Sequence, residues 1–129
     1  MKIFSATFEG NPVPKGRPRM TKTGHAYTPQ TTRDFEKAVA IWAKANFKGK
    51  LSAKPLKAVM NFYIKRAKTN KTKQHTQRPD IDNYMKAVLD GMQGVVFEDD
   101  SQVFEIFATK TWADYVLPSF TVVIYEVGE

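Results

Sequence analysis

Apolar and polar residues recur with two different periods along this chain, and each period predicts one kind of element. Alternation, which places successive side chains on opposite faces of a strand, predicts strands over residues 2–8, 56–64, 103–112 and 120–127. Apolar residues three and four positions apart predict helices over residues 31–47 and 80–92. The order of these elements predicts an α+β fold in which a mixed sheet of about four strands is covered by two helices.

Residues at the ends of these elements predict how the helices begin and how the last strands are joined. Thr31 or Thr32 is a suitable N-cap for the first helix, and Asp80, which follows Pro79, is a suitable N-cap for the second. A turn at residues 114–118 is expected to join the last two strands as a hairpin. The chain contains no linker and no internal repeat, so we expect a single domain over its 129 residues.

Apolar side chains also predict what the core contains. Ile81, Met85, Val88 and Met92 form one stripe on a helical wheel, and we expect this stripe to be the buried face of the second helix. The large aromatic residues are expected in the core as well, namely Phe4, Phe8, Trp42, Phe62, Trp112 and Tyr125.

Two segments are rich in basic residues and poor in apolar ones. Residues 10–29 contain several Pro and Gly, which predicts an extended basic arm or an irregular hairpin with a turn near Gly24. Residues 65–78 form a polar loop with six Lys and Arg and no acidic residue, and we expect this loop to be mobile without a partner. His25 and His75, one in each segment, are expected to be solvated or to contact phosphates rather than to bind zinc.

Charge is distributed unevenly. The sequence has 20 Lys and Arg against 13 Asp and Glu, a net charge of +7, but residues 1–79 hold eighteen of the basic residues and only three of the acidic ones. This distribution favours a polyanionic partner such as nucleic acid. The absence of cysteine excludes disulfides, thiolate zinc sites and a cysteine nucleophile. No signal sequence or membrane-spanning stretch is recognisable, so a cytoplasmic protein without membrane contact is expected.

Acidic side chains are concentrated in residues 78–100, which hold six of the thirteen Asp and Glu. Asp80 and Asp82 lie at the start of the second predicted helix, and Asp99 and Asp100 precede the next strand, so a short return of the chain can bring the two pairs together. Carboxylates repel phosphates, and a site for both requires a cation between them. Oxygen ligands without thiolates favour Mg²⁺, with Mn²⁺ as a substitute. Lys86, on the helical face of Asp82, could neutralise developing charge.

A simpler interpretation of the same acidic residues stays open. Asp is common at an N-cap and in the first turn of a helix, and Asp82, Lys86 and Asp90 could form ordinary i,i+4 pairs. The chain would then be a non-catalytic DNA- or RNA-binding protein whose carboxylates are caps and surface charges.

The acidic segment also resembles a known family. PDIDN at residues 79–83, Lys86, Asp90 with Gly91, and EDDSQV at residues 98–103 resemble the RusA-type Holliday junction resolvases, whose pattern reads PDxDNxxKxxxDxLxxxxxxDDxxV. PVPKGRPR at residues 12–19 is similar to the basic amino-terminal signature of that family. The resemblance covers about residues 8–105.

This resemblance implies a function, a partner and a set of site residues. The family consists of small homodimeric endonucleases of bacteria and phages that cut four-way DNA junctions by paired, Mg²⁺-dependent nicks. It implies a homodimer that acts on branched DNA in recombination and repair, without a protein cofactor, and it is compatible with a prophage origin. A nuclease for flaps, forks or RNA is an open alternative, because the motif does not separate these substrates.

The implied residues form three groups. The implied catalytic residues are Asp80, Asp82, Lys86 and Asp100. The implied metal ligands are Asp80, Asp82, Asp99 and Asp100. The expected DNA contacts are basic residues of the arm and of the polar loop, namely Lys15, Arg17, Arg19, Lys65, Arg66, Lys68, Lys71, Lys73 and Arg78.

Overall fold

The computed structural model describes residues 1–16, 19–68 and 70–128. The strands in chain order are β1 (Lys2–Glu9), β2 (Arg19–Met20), β3 (Ala26–Tyr27), β4 (Leu56–Ile64), β5 (Val103–Trp112) and β6 (Ser119–Glu126). The helices are α1 (Gln30–Asn46), α2 (Ile81–Met92) and a short 3₁₀ helix (Asp100–Gln102). Each predicted strand and helix is present; the ends of the strands and of α2 are displaced by at most one residue, and α1 begins two or three residues before the start that a cap at Thr31 or Thr32 implies. Neither described α-helix is long and apolar enough to cross a membrane.

Four strands form one mixed sheet in the order β1-β6-β4-β5. β6 is antiparallel to β1 and β4, whereas β4 and β5 are parallel, with Ile64 opposite Trp112. The predicted hairpin between β5 and β6 is therefore wrong, because β4 lies between these two strands. The turn at residues 114–118 exists, but it carries the chain across the end of β4 instead of folding β6 back onto β5.

Both helices pack on one face of the sheet, and the core lies between these layers. Alternate residues of β4 are buried, namely Leu56, Ala58, Met60, Phe62 and Ile64. Phe120 in β6 stacks on Phe8 with ring centroids 4.8 Å apart. Tyr125 was expected in this core and is instead 37% exposed. Its place in the alternation of β6 puts it on the opposite face of the sheet, with Phe107.

The start of α1 differs from the prediction. Pro29 occupies the N-cap position and makes no capping hydrogen bond, while Thr31 and Thr32 both lie inside the helix. Thr32 is buried, and its hydroxyl oxygen accepts a hydrogen bond of 3.0 Å from the backbone N–H of Gly16. The expected cap residue thus fastens the basic arm to the helix.

The buried face of α2 is displaced from the predicted stripe. Ile81 and Met85 are only partly covered, so the stripe is wrong at these two positions. The buried residues of α2 are Tyr84, Ala87, Val88, Gly91 and Met92. The displacement follows from close packing of the two helices, because a Cβ atom on Gly91 would lie 2.7 Å from the side chain of Val39 in α1.

Several connections leave the sheet at the same end, which we call the loop end. β4 and β5 finish there because they are parallel, and β1 finishes and β6 begins there because β6 is antiparallel to β1 and β4. A hydrogen bond of 3.0 Å from Gly10 N to the carbonyl oxygen of Pro118 joins two of these connections. Three segments therefore start side by side: residues 10–29, 65–78 and 113–118.

Within residues 10–29, residues 19–27 form an irregular hairpin, as the composition of this segment allows. β2 pairs with β3, with Arg19 opposite Tyr27. Gly24 lies in the connecting turn at a φ of +87°, in the left-handed region that favours glycine.

We expect Gly91→Ala to destabilise the fold, although alanine is the better helix former. By helix propensity alone, replacing a glycine inside a helix by alanine should raise the free energy of unfolding by about 1 kcal/mol. The added Cβ, however, would lie 2.7 Å from Val39 and 3.1 Å from the carbonyl oxygen of Glu36, and overpacking of this kind costs about 1–3 kcal/mol. Urea unfolding should show a lower free energy of unfolding. Gly128→Ala, where an added Cβ meets nothing within 4 Å, should leave it unchanged. A Gly91→Ala protein more stable than the wild type would contradict this packing.

Candidate active site and nucleic-acid interface

The first turn of α2 presents two carboxylates to solvent. Asp80 occupies the predicted N-cap position, but its side chain makes no capping hydrogen bond. Asp82 is exposed in the first turn, and within the described part of the chain neither carboxylate forms a salt bridge. Both lie at the N-terminal end of α2, where a negatively charged side chain interacts favourably with the helix dipole. They are therefore available for a ligand.

Lys110 of β5 holds the start of α2 at the loop end. Its ammonium group donates hydrogen bonds to the carbonyl oxygens of Gln77 and Pro79, at 2.7 and 2.9 Å. Beside them is a cavity of about 310 Å³ lined by Arg78, Pro79, Asp80 and Asn83. A larger cavity of about 680 Å³ contains none of the predicted site carboxylates, so size does not mark the site. Sequence reasoning missed Lys110, since no local pattern distinguishes it from other strand lysines.

Lys86 connects the two parts of the acidic segment. Its ammonium group forms a hydrogen-bonded salt bridge with Asp100 and a second salt bridge, of 3.2 Å, with Asp90. The hydrogen bond to Asp100 raises the pKa of Lys86, and the one to Asp90 adds to this effect. Lys86 is therefore protonated at neutral pH. The chain after α2 thus returns far enough to place Asp100 against the middle of α2, and the convergence of Asp99 and Asp100 with Asp80 and Asp82 stays a prediction.

The turn before β5 orients Asp100 and uses Asp99 as a cap. The Asp99 carboxylate accepts a hydrogen bond of 3.0 Å from Ser101 N, and the Gln102 side chain accepts one of 2.8 Å from Asp99 N. The Ser101 N–H lowers the pKa of Asp99. The side chain of Gln93, just after α2, accepts a hydrogen bond of 3.1 Å from Asp100 N. Asp99 thus has a structural contact of its own, and its role as a metal ligand stays a prediction.

Lys15 extends the ion pairs toward α1. Its ammonium group lies 2.6 Å from Glu36 and 2.9 Å from Asp90. Burial acts to lower the pKa of Lys15, but the hydrogen bonds to Glu36 and Asp90 outweigh it and the pKa is raised. Two carboxylates therefore already balance this charge, and a DNA contact by Lys15 stays a prediction. The resulting chain of alternating charges consists of Glu36, Lys15, Asp90, Lys86 and Asp100.

The other predicted DNA contacts differ in how freely they could meet a phosphate. The exposed ones are Arg19, Lys65, Lys68, Lys71, Lys73 and Arg78. Arg66 is only partly exposed, since its guanidinium donates two hydrogen bonds, of 3.0 and 2.9 Å, to Asp114 and lies 4.8 Å from the centre of the Trp112 ring. Arg17 lies outside the described residues. Most of the predicted set is thus available at the surface.

His75 is not solvated, contrary to the prediction. It is 7% exposed, and its ring stacks on Trp112 with centroids 3.9 Å apart and planes 9° apart. Burial lowers the pKa of His75, and the charge of Lys110 adds to this effect. The basic composition of the loop indicated solvent, but the stacking partner lies in a distant strand that no local pattern identifies. His25 is exposed, as predicted.

The donor chemistry of the acidic segment suits a hard divalent cation. Carboxylate oxygens are the ligands that Mg²⁺ and Mn²⁺ prefer, and Asp90 and Asp100 already converge on one cationic group, the ammonium of Lys86. Within residues 1–16, 19–68 and 70–128, no three Asp, Glu or His converge closely enough to hold an ion. The residues thus fit such a metal by the type of their ligand atoms, but within the described part of the chain they are not gathered into a metal site.

A family model described as Endodeoxyribonuclease RusA matches residues 9–125, nearly the whole chain. The chain belongs to the RusA endodeoxyribonuclease family. A curated relative, the uncharacterized protein YqaN of Bacillus subtilis (strain 168), is 30% identical over 143 aligned positions that cover 99% of each chain. The family resemblance seen in the sequence is thereby confirmed, and RusA membership implies endodeoxyribonuclease activity and the binding of DNA junctions.

We expect Asp90→Asn to destabilise this RusA-family protein, because Asp90 balances two lysines while its side chain is only 19% exposed. Losing charge-assisted hydrogen bonds at such a position costs about 1–2 kcal/mol. The matched control is Glu105→Gln, which removes a salt bridge to Lys57 between well-exposed side chains. In urea unfolding, the free energy of unfolding of the control should differ from that of the wild type by less than about 0.5 kcal/mol. Equal effects of both variants would show that Asp90 does not hold the network together.

Proposed function

We propose that this protein resolves four-way DNA junctions by paired, Mg²⁺-dependent hydrolysis of phosphodiester bonds. The observation that carries the proposal is the contact between Lys86 and Asp100, which joins the two parts of the acidic segment beside α2. RusA-family membership supports the endodeoxyribonuclease class. The exposed basic residues near the loop end support a polyanionic substrate.

We propose Asp80, Asp82 and Asp100 as metal ligands and catalytic residues, with Asp99 as a further ligand. A bound Mg²⁺, or Mn²⁺ in its place, would supply polarisation of the scissile phosphate and a lower pKa of attacking water. In the first turn of α2, the Asp80 side chain makes no capping hydrogen bond, and neither Asp80 nor Asp82 forms a salt bridge within the described part of the chain. Gln93 and Lys86 hold Asp100 by its backbone N–H and its carboxylate.

Lys86 is proposed to act directly on the substrate. Its raised pKa keeps the ammonium group protonated at neutral pH, and its side chain is 52% exposed. A protonated donor next to the scissile phosphate would stabilise the negative charge that develops during hydrolysis. Asp90 would serve as a positioning residue, since it binds Lys86 from one turn farther along α2.

DNA would be held by its phosphates. The proposed contacts are Lys15, Arg17, Arg19, Lys65, Arg66, Lys68, Lys71, Lys73 and Arg78. Contacts of this kind position DNA without reading its sequence, and they release counterions, so binding should weaken steeply as the salt concentration rises.

A homodimer would match the symmetry of the substrate. A four-way junction can present two equivalent strands, and two chains related by a two-fold axis present two equivalent sites. We therefore propose a homodimer that acts in the cytoplasm on recombination and repair intermediates, and we extend the proposal to a prophage setting.

We expect Asp82→Asn to lower the rate of junction cleavage by at least about a hundredfold, the scale on which a lost electrostatic stabiliser acts. Binding of the junction should persist, because the loop-end cations are unchanged. The measurement is nicking of a synthetic four-way junction with and without Mg²⁺, alongside duplex, flap and fork of equal length. The matched control is Asp34→Asn, an exposed carboxylate of α1 that accepts a hydrogen bond from Gln30.

The outcomes separate the alternatives. Paired nicks that need Mg²⁺ and Asp82 on the four-way junction support the proposal, and equal or faster cleavage of flaps or forks supports a nuclease for other branched DNA. Tight binding without nicks of any substrate would favour a non-catalytic binding protein. Undiminished cleavage by Asp82→Asn would overturn the site assignment.

A further inference from the structure

Three consecutive apolar side chains are exposed in the connection between β5 and β6. Tyr115 is 100% exposed, Val116 is 51% exposed and Leu117 is 80% exposed. We call residues 115–117 the apolar tip. Contiguous exposed apolar surface of this kind marks sites that bind a partner more often than it marks idle surface.

The apolar tip is held among the basic segments of the loop end. Asp114, just before the tip, accepts two hydrogen bonds from Arg66 of the basic loop, at 3.0 and 2.9 Å. Pro118, just after it, accepts a hydrogen bond of 3.0 Å from Gly10, where the basic arm begins. The strand that leads into the tip also holds the start of α2 through Lys110. The tip therefore projects between two basic segments, at the same end of the sheet as the first site carboxylates.

The charge around the tip identifies the chemistry of its partner. The loop of residues 65–78 carries six basic residues and no acidic one, so the partner must combine negative charge with apolar surface. Nucleic acid with unstacked bases combines phosphates with open aromatic faces. In a linear duplex these faces are covered by stacking, whereas apolar side chains can enter where base steps are opened. A branch point is such a place.

We propose that the apolar tip contacts the bases at the branch of a DNA junction, with Tyr115 stacking on an exposed base and Leu117 wedged beside it, and that this contact makes binding selective for branched DNA over linear DNA. The inference rests on the proposed function, because it names what distinguishes the substrate of that same site. The tip residues would be specificity residues, and hydrolysis itself would remain with the acidic segment and Lys86.

The test compares the affinities of Tyr115→Ala and Leu117→Ala for a four-way junction and for a duplex of the same length, without divalent metal so that no cleavage occurs. Loss of one base-stacking contact should weaken junction binding by roughly fivefold to a hundredfold for Tyr115→Ala, while duplex binding changes by less than about twofold because phosphate contacts dominate it. The control is Ile41→Ala, which removes from α1 a side chain of the same size as Leu117 that is 72% exposed.

A second readout reports on the base directly. With 2-aminopurine at the branch, wild-type protein should change its fluorescence by altering its stacking, and Tyr115→Ala should reduce that change at saturating protein. A role of the tip limited to folding would not produce this pattern, and unfolding curves and size-exclusion chromatography of each variant check fold and assembly.

Two affinity results would overturn the tip proposal: an equal loss of junction and duplex affinity, or no loss of either. A change of oligomeric state in step with the affinity would overturn it too, because the tip would then be an interface between copies of the chain. A wild-type protein that binds junction and duplex equally would overturn it as well. The proposed function is tested separately by nicking with Mg²⁺. If the protein nicks junctions but Tyr115→Ala leaves junction affinity unchanged, only the tip proposal is wrong. If Tyr115→Ala weakens junction binding selectively but no nicking occurs, only the proposed resolvase activity is wrong.

Discussion

Parallel pairing of β4 with β5 is the constraint on which the rest of the molecule depends. Adjacent parallel strands cannot be joined by a tight turn, so the chain must return along the length of the sheet before β5 can begin. Here that return consists of the basic loop, α2 and the 3₁₀ helix. All six acidic residues of the acidic segment lie on this crossover, and its geometry sets Asp80 at the start of α2 and Asp100 just before β5.

The crossover alone would leave the acidic residues spread along α2, and ion pairs bring Asp90 and Asp100 together at Lys86. Lys86 draws Asp100 to the middle of the helix, and Asp90 is shared between Lys86 and Lys15. Since Lys15 also binds Glu36, the basic arm and α1 are tied to the same network. DNA bound to the basic arm would therefore contact a segment whose Lys15 is connected through Asp90 to Lys86 and Asp100. The packing of Gly91 against Val39 keeps the two helices close enough for these contacts.

The local elements were predictable because their signals are local. Apolar residues in β4 and helical spacing in α2 placed both elements to within a residue, and the i,i+4 spacing indicated the pair of Lys86 and Asp90. The contact of Lys86 with Asp100 was not predicted. Features set by distant residues were not predictable. The insertion of β6 between β1 and β4, the capping of α1, the burial of His75 on Trp112 and the pairing of Lys15 with Glu36 all depend on residues brought together by the sheet, for which a single sequence carries no periodic signal.

The same limit applies within α2. The helical wheel of α2 identified Val88 and Met92 as buried, but the buried face is centred closer to Gly91 than predicted. Gly91 lets α1 and α2 approach closely. The sequence did not indicate this, because a glycine adds no hydrophobic signal to the wheel. Tyr115 and Tyr125 are exposed although tyrosine is a large aromatic residue of the kind often found in a core, so residue type alone does not predict their exposure. Topology alone puts Tyr115 on a connection at the loop end and Tyr125 on the sheet face opposite the helices.

The most direct test of the account is a crystal structure of the wild-type protein and of Asp82→Asn, each grown with Mn²⁺, with anomalous diffraction to locate the ion. The account predicts a peak in contact with Asp82 and Asp100 in the wild type and no peak there in Asp82→Asn. A peak elsewhere on the molecule, or the same peak in both proteins, would contradict the claim that the acidic segment of the crossover is the metal-dependent site of this endonuclease.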